Sequence, residues 1–378
     1  MKIKAHKLRD RKFNNWQSEV LDHWDYEDLL ADRGWRKDWI SFDCCAYVPE
    51  TKRIYCGITS FDADIFWAYD RKSRHFVDCG FGKVRNPYDA KFHRSLVRWE
   101  KDGCLYAAIA LLHDPDRYWE APGGAIVRYN PLTGDICKLA IPLPHIYIQS
   151  ICLDQKQGMI YGQAAFPERM FKFDLITGRS EDLGPLTGIG MGQGENIELD
   201  DEGCAWAGWM MARAWQSAPG VDAHRLCKYD PRQGLIIYFK GGLPNPDGSY
   251  GFQHVEGIFN LGGGKLFASG GNGSLYRINL KTGKAHYLFT PVSDQRSRLA
   301  SLRMAPDGYA YGVTGRDGHC KLLQFDPLKE KYKLLGEITD GHESCWQAHD
   351  VTITTDNVIY ACENDNPNRS GYLWEIKL

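Results

Sequence analysis

The stretch MIYGQAAFPERMFKFDLITG, residues 159–178, packs two short apolar strands and two turns into twenty residues. The first strand is centred on an aromatic, Tyr161. The second, MFKFD, alternates large apolar side chains with polar ones, as a half-buried strand does. The closing turn runs from Asp174 to Gly178. An Asp there can cap the turn by accepting from the backbone two residues on, and Gly supplies a positive φ at little cost. Working outward, the same unit recurs. The aromatic-centred strands are RIYCGIT, CLYAAIA, MIYGQAA, CAWAGWM, KLFASGG, YAYGVTG and VIYACEN. Their aromatics, Tyr55, Tyr106, Tyr161, Trp206, Phe267, Tyr311 and Tyr360, are 51, 55, 45, 61, 44 and 49 residues apart. The strands that follow end in AYDRKSR, RYNPLTG, KFDLITG, KYDPRQG, RINLKTG and QFDPLKE, and the chain finishes in LWEIKL.

Several short strands at one long period, each unit unable to bury both faces alone, are the mark of a radial repeat. The expected fold is therefore all-β, a seven-bladed β-propeller forming a single domain over residues 1–378. The last copy stops after its third strand. Its missing outer strand is expected from residues 2–8, KIKAHKL, which alternate charged and less polar side chains. Between Trp16 and about Arg33, the spacing of Trp16, Val20, Leu21, Trp24 and Leu29 predicts a short amphipathic helix.

Composition narrows the partners. With 46 basic and 48 acidic residues the formal net charge is −2, which gives no reason to expect nucleic acid or a membrane surface. The 12 cysteines include no CxxC, and several fall inside apolar strands, so free buried thiols are expected rather than a disulfide framework. The N-terminus has charge but no apolar stretch of signal-peptide length, so a cytoplasmic location is expected.

In a propeller the first strand of each blade lines the central channel, and polar residues entering it converge on one end. Stepping back about 13 residues from each second-strand aromatic lands on His93, His254, Arg298 and Gln347, with His349 two further on. In the remaining blades the same step falls beside Tyr147, Glu195 and Asp43. Loops on that end add His113, Arg169, Arg213, Arg316 and Arg369. A single histidine at a strand start is more often structural than catalytic. Four of them, His93, His113, His254 and His349, grouped on one end with arginines are a candidate site, since imidazole is the natural acid or base near neutral pH and Arg the natural partner of a carboxylate.

KFHRSLVRWEKDGCLYAAIALLHDPD, then GGAIVRYNPLTG, then MIYGQAAFPERMFKFDLITG, resembles a group of seven-bladed propeller carbohydrate-active enzymes: the ulvan lyases and the rhamnose–glucuronate lyases or glycosidases. His93 and His113, 20 residues apart, look like that group's paired active-site histidines. The resemblance implies an arginine and a tyrosine in the next blade. Arg169 matches the first by its loop position, and Tyr147 is the better choice for the second, because Tyr161 registers as a core aromatic. His254, Arg298, Gln347 and His349, with Arg213 and Trp209 from the Trp-rich segment AWAGWMMARAWQSAPGVDAHR, then become substrate-binding candidates. A looser likeness, to oligogalacturonate lyase, implies a divalent metal on a His/Gln set drawn from His93, His254, Gln347 and His349. The main resemblance requires no cofactor.

What the resemblance implies is cleavage of a uronic-acid-containing oligo- or polysaccharide by β-elimination. Arg169 would neutralise the uronate carboxylate, His93 would take the C5 proton with His113 beside it, and Tyr147 would protonate the leaving oxygen. The expected partner is a carbohydrate. Two alternatives stay open. A rhamnosidase-like glycoside hydrolase would need two carboxylates, for which Glu195 and Asp43 register nearest. A non-catalytic binding platform would use the same end of the ring without chemistry.

Overall fold

The computed structural model describes residues 1–13, 37–111, 119–187, 194–211, 224–250, 253–293 and 297–378. The helix expected between Trp16 and about Arg33 lies outside them. The described residues form antiparallel β-structure with one short 3-10 turn at Phe81–Lys83. Among them no helix is long and apolar enough to cross a membrane.

Five sheets have four strands each and one has nine. Tyr147–Asp154, Met159–Ala165, Arg169–Asp174 and Ser180–Pro185 show the plan, each strand pairing antiparallel with the next. The nine-stranded sheet contains two such meanders. One runs from Ser41–Val48 to His75–Asp78, the other from Val97–Arg98 to Ile136–Ala140, and Asp89–Phe92 bridges them by pairing with both second strands. The first strands neighbour one another in sequence order: Tyr147–Asp154, Glu198–Leu199, Val255–Asn260, Leu299–Met304, Ala348–Ile353, and then Ser41–Val48. They line a common axis, and the cores lie between consecutive sheets. Tyr161 and Met170 of one sheet, for example, pack with Ala205 and Cys227 of the next.

The repeat chemistry explains why the sequence settles into this plan. All seven second-strand aromatics are buried, at no more than 3 % exposure, each contributing about 1.5–3 kcal/mol by leaving water. A polar tip cannot be buried without a partner, so Tyr106, Trp206 and Tyr311 donate to Asp102, Asp200 and Asp307 in the turns just before them. In the third-strand turns, Asp70, Asn130, Asp174, Asn279 and Asp326 each accept from the backbone N–H groups two and three residues on. Gly178 takes a positive φ of 69° there. All 12 cysteines are free, and only Cys137 is exposed.

The last sheet is completed from the other end of the chain. Lys2–His6 pairs antiparallel with Leu373–Lys377, Lys2 opposite Lys377 and His6 opposite Leu373. His6 Nε2 lies 2.9 Å from Glu375 Oε2 in a nearly enclosed position. This bond, working against burial and helped by Lys377, holds the Glu375 carboxyl down at about 2 against an ordinary 4.5. A depressed carboxyl stabilises the fold above its unfolded value, and that contribution drains away as pH falls toward the folded value. Acidification from pH 4.5 toward 2 should therefore loosen the Lys2–His6 strand. Amide hydrogen exchange of that strand should accelerate over this range in the wild type. A His6→Ala protein should show a flatter dependence, and equal profiles would refute the latch.

Candidate functional site

At the entrance to the first strands, the antiparallel ladder slips. The register shifts between Phe42 and Cys44, between Ile148 and Ser150, between Val255 and Gly257, and between Ala348 and Asp350. A bulge adds an unpaired residue and re-aims it. Here the additional residues are Asp43, Gln149, Glu256 and His349, and each lends an atom to one buried cluster.

The centre is the Glu195 carboxylate. Its Oε2 lies 3.4 Å from His93 Nε2 and 3.6 Å from His349 Nε2, with Arg94 at 3.8 Å and Arg298 at 3.9 Å. The two imidazole rings meet edge to face with centroids 4.5 Å apart. Each is held from behind: His93 Nδ1 is 2.7 Å from the Gln149 carbonyl oxygen and His349 Nδ1 is 3.0 Å from that of Asp43. A carbonyl only accepts, so both Nδ1 atoms carry hydrogen. Both Nε2 atoms are thereby turned toward Glu195.

A second carboxylate, Glu256, ties the wall together. It accepts from Arg94, from Arg298 at 2.7 Å, and from His254 Nε2 at 3.1 Å. It therefore joins the second meander of the nine-stranded sheet to a sheet that is not its neighbour. On the third side, Lys91 lies 3.3 Å from Asp43. Asp43 also accepts from Thr59 at 2.5 Å.

The electrostatics follow from enclosure plus pairing. Burial pushes Asp43 upward, but Lys91 and His349 outweigh it and bring the carboxyl to about 2. Burial likewise opposes the charges of Glu195 and Glu256. His349 and Arg94 overcome it for the first, and Arg298 and Arg94 for the second, so both sit well below the usual carboxylate range. His93 goes the other way. Burial first, then Lys91 and His349, force it well below the ordinary imidazole value, so its ring is neutral at pH 7. Burial also works against the Lys91 ammonium, but Asp43, Asp365 and Glu195 raise it overall.

The structure thus brings together His93, His349, His254 and Arg298 of the expected set, with Asp43 and Glu195. Gln347 is buried and reaches Asp365 at 3.5 Å rather than the imidazoles. The His/Gln metal set is therefore divided, with His254 committed to Glu256 and Gln347 to Asp365. Three other residues of the expected set have partners outside the cluster. Arg169 begins a third strand, two places out from the axis, and its guanidinium is paired with Asp182 at 2.8 Å. Its charge is thus already partnered outside this cluster. Trp209 donates its indole N–H to the carbonyls of Leu226 and Phe239 and packs edge-on against Tyr238. Tyr147 lies at the start of its strand with its ring against Phe166, centroids 5.6 Å apart. His113 and Arg213 lie outside the described residues. Arg369 is structural, its guanidinium held by Glu363 at 2.9 Å.

Lys91, Arg94 and Glu256 were not anticipated. Glu256 sits two residues past His254 in a strand of buried neighbours, and an isolated charge in such a strand was the available signal. Beyond the cluster, a tunnel cavity of about 340 Å³ is lined by inner-strand residues including Ser150, Asn196, Ser301 and Asp350, with Arg94 in its wall.

No protein-family model matches the sequence, and no curated protein matches it. Solved structures do. The chain is similar to the RRP9 WD40 repeats, with 11 % identity, TM-score 0.61, and coverage of 91 % of this chain and 96 % of that one. Virginiamycin B lyase from Staphylococcus aureus matches at 14 % identity and TM-score 0.52, covering 71 % of this chain and 76 % of that one. The extracellular domain of the hybrid two-component system BT4673 from B. thetaiotaomicron matches at 12 % identity and TM-score 0.58. That match covers 88 % of this chain, which spans only 38 % of the larger one. At these identities the likeness shows the fold alone: the protein is a β-propeller.

Proposed function

We propose that this single-domain propeller is a carbon–oxygen lyase that cleaves uronic-acid-containing oligo- or polysaccharide by β-elimination at the axial cluster. Its nine-stranded sheet counts as two blades, making seven with the other five. The observation that carries the reading is the meeting of three histidines, His93, His254 and His349, with Lys91 and Arg298 where the first strands begin. Elimination needs the sugar carboxylate neutralised, a base for the C5 proton, and a proton for the departing C4 oxygen. With Arg169 two strands out, Lys91 and Arg298 are the cations of the cluster itself; each already faces a carboxylate, Asp43 and Glu256, and both lie where enolate charge on a bound uronate would develop.

The base is His254. Its Nε2–H points at the Glu256 carboxylate, which leaves Nδ1 with the lone pair. This is the carboxylate-oriented imidazole arrangement that proton transfer favours. His254 is also the most open of the three, at 23 % side-chain exposure against 5 % for His93 and 1 % for His349. It removes the C5 proton, the C4–O bond breaks as the C4=C5 bond forms, and the imidazolium returns the proton to the leaving oxygen. Hydrolysis is less well served, because Asp43, Glu195 and Glu256 all face cationic partners and none is set apart to donate a proton.

The test is a panel of uronic-acid oligosaccharides followed by ultraviolet absorbance of the unsaturated uronyl end. Carboxyl-reduced versions should be inert. New reducing ends without absorbance would sink elimination in favour of hydrolysis. No cleavage anywhere on the panel would leave a binding platform.

A further inference from the structure

We infer that His93 Nε2, His349 Nε2 and Glu195 Oε2 form the binding site of one divalent transition-metal ion. These three donor atoms lie within 4.8 Å of one another. Both imidazoles donate Nδ1–H to main-chain carbonyls, of Gln149 and Asp43. That outer bond fixes the tautomer and ring direction in histidines that ligate metals through the other nitrogen. Glu195 Oε2 is buried, and among the described residues no hydrogen-bond donor satisfies it. With Nδ1 of each ring turned to a carbonyl, both Nε2 atoms and Glu195 Oε2 converge on one point, an arrangement that a shared cation stabilises.

The spacing agrees. Donors about 2.1 Å from a common ion in a tetrahedral arrangement are roughly 3.4 Å apart, and the separations from Glu195 are 3.4 and 3.6 Å. Two imidazoles and a carboxylate suit a first-row ion such as Mn²⁺, Co²⁺ or Zn²⁺ better than Mg²⁺ or Ca²⁺, which favour oxygen. A divalent ion there would add positive charge beside Lys91 and Arg298 for a uronate carboxylate, a role that rests on the lyase reading, although the ion site itself does not.

The experiment needs no sugar. Protein stripped with a chelator and dialysed is titrated calorimetrically with Mn²⁺, Co²⁺ and Zn²⁺ chlorides, and the visible spectrum is followed with Co²⁺. One ion per chain is expected. Glu195→Gln, which keeps the side-chain shape, should weaken binding by more than the roughly 10–100-fold that loss of a ligand's outer partner costs, as should His349→Ala. His254→Ala should bind as the wild type does, since its ring belongs to Glu256. Absence of binding to the wild type, or wild-type affinity in Glu195→Gln, overturns the site. Uronate cleavage by protein that binds no metal would overturn the metal and leave the lyase. Stoichiometric binding without uronate cleavage would do the reverse.

Discussion

Alanine at His254 is expected to lower turnover of a uronate oligosaccharide by roughly 10²–10⁴-fold, the usual loss when a positioned acid–base group is removed, while the protein remains folded. The ring is 23 % exposed and, among the described residues, its side-chain bond is to Glu256. Removing it therefore leaves no large void. Its seat is specific: a Cβ placed on Gly271 would come within 2.3 Å of His254 Cε1, so Gly271→Ala should also reduce the rate by displacing the ring. Initial rates set beside melting curves separate the two effects. Equal rates for wild type and His254→Ala would remove the ring from the mechanism and return the base role to His93.

The largest effect on stability should come from Glu363→Ala. Glu363 is fully buried and accepts six hydrogen bonds: from the main-chain N–H groups of Trp346 and Tyr372, the side chains of Asn366 and Trp374, and twice from Arg369. Arg369, 3 % exposed, also lies over the Tyr372 ring at 3.7 Å. Removing the carboxylate leaves the buried guanidinium with Glu343 at 3.3 Å and the Ser344 and Ser370 carbonyls, and leaves several other donors without an acceptor; breaking such a pair from one side costs about 3–5 kcal/mol. Glu363→Gln keeps part of the acceptor capacity and should cost less. Denaturant unfolding of the two variants beside the wild type checks the order. A Glu363→Ala protein as stable as Glu363→Gln would show that the guanidinium finds other partners.

The architecture was legible because its signals are local and repeated. An aromatic with an Asp behind it, and an Asx turn closing the next hairpin, occur blade after blade and need no long-range information. The site was legible where the step back from the aromatic stayed in phase, as at His93, His254, Arg298 and beside Glu195. It failed where a bulge changed the phase. Glu256 reads as a strand-interior position, yet the slipped register between Val255 and Gly257 turns it into the site. Arg169, Trp209 and Arg369 differ in another way: Asp182, the Leu226 and Phe239 carbonyls, and Glu363 already hold them. Sequence marks the end of the ring on which a side chain lies without marking whether a neighbour has claimed it.

The pairing of Lys2–His6 with Leu373–Lys377 sets a clock on biosynthesis. Lys2–His6 is made well before its partner and must wait for it, 369 residues on at the His6–Glu375 contact. Until then the final sheet lacks its outer edge, and a nascent chain carries an open row of backbone donors and acceptors that could recruit a strand from another copy. Ring closure thus cannot precede synthesis of Leu373–Lys377.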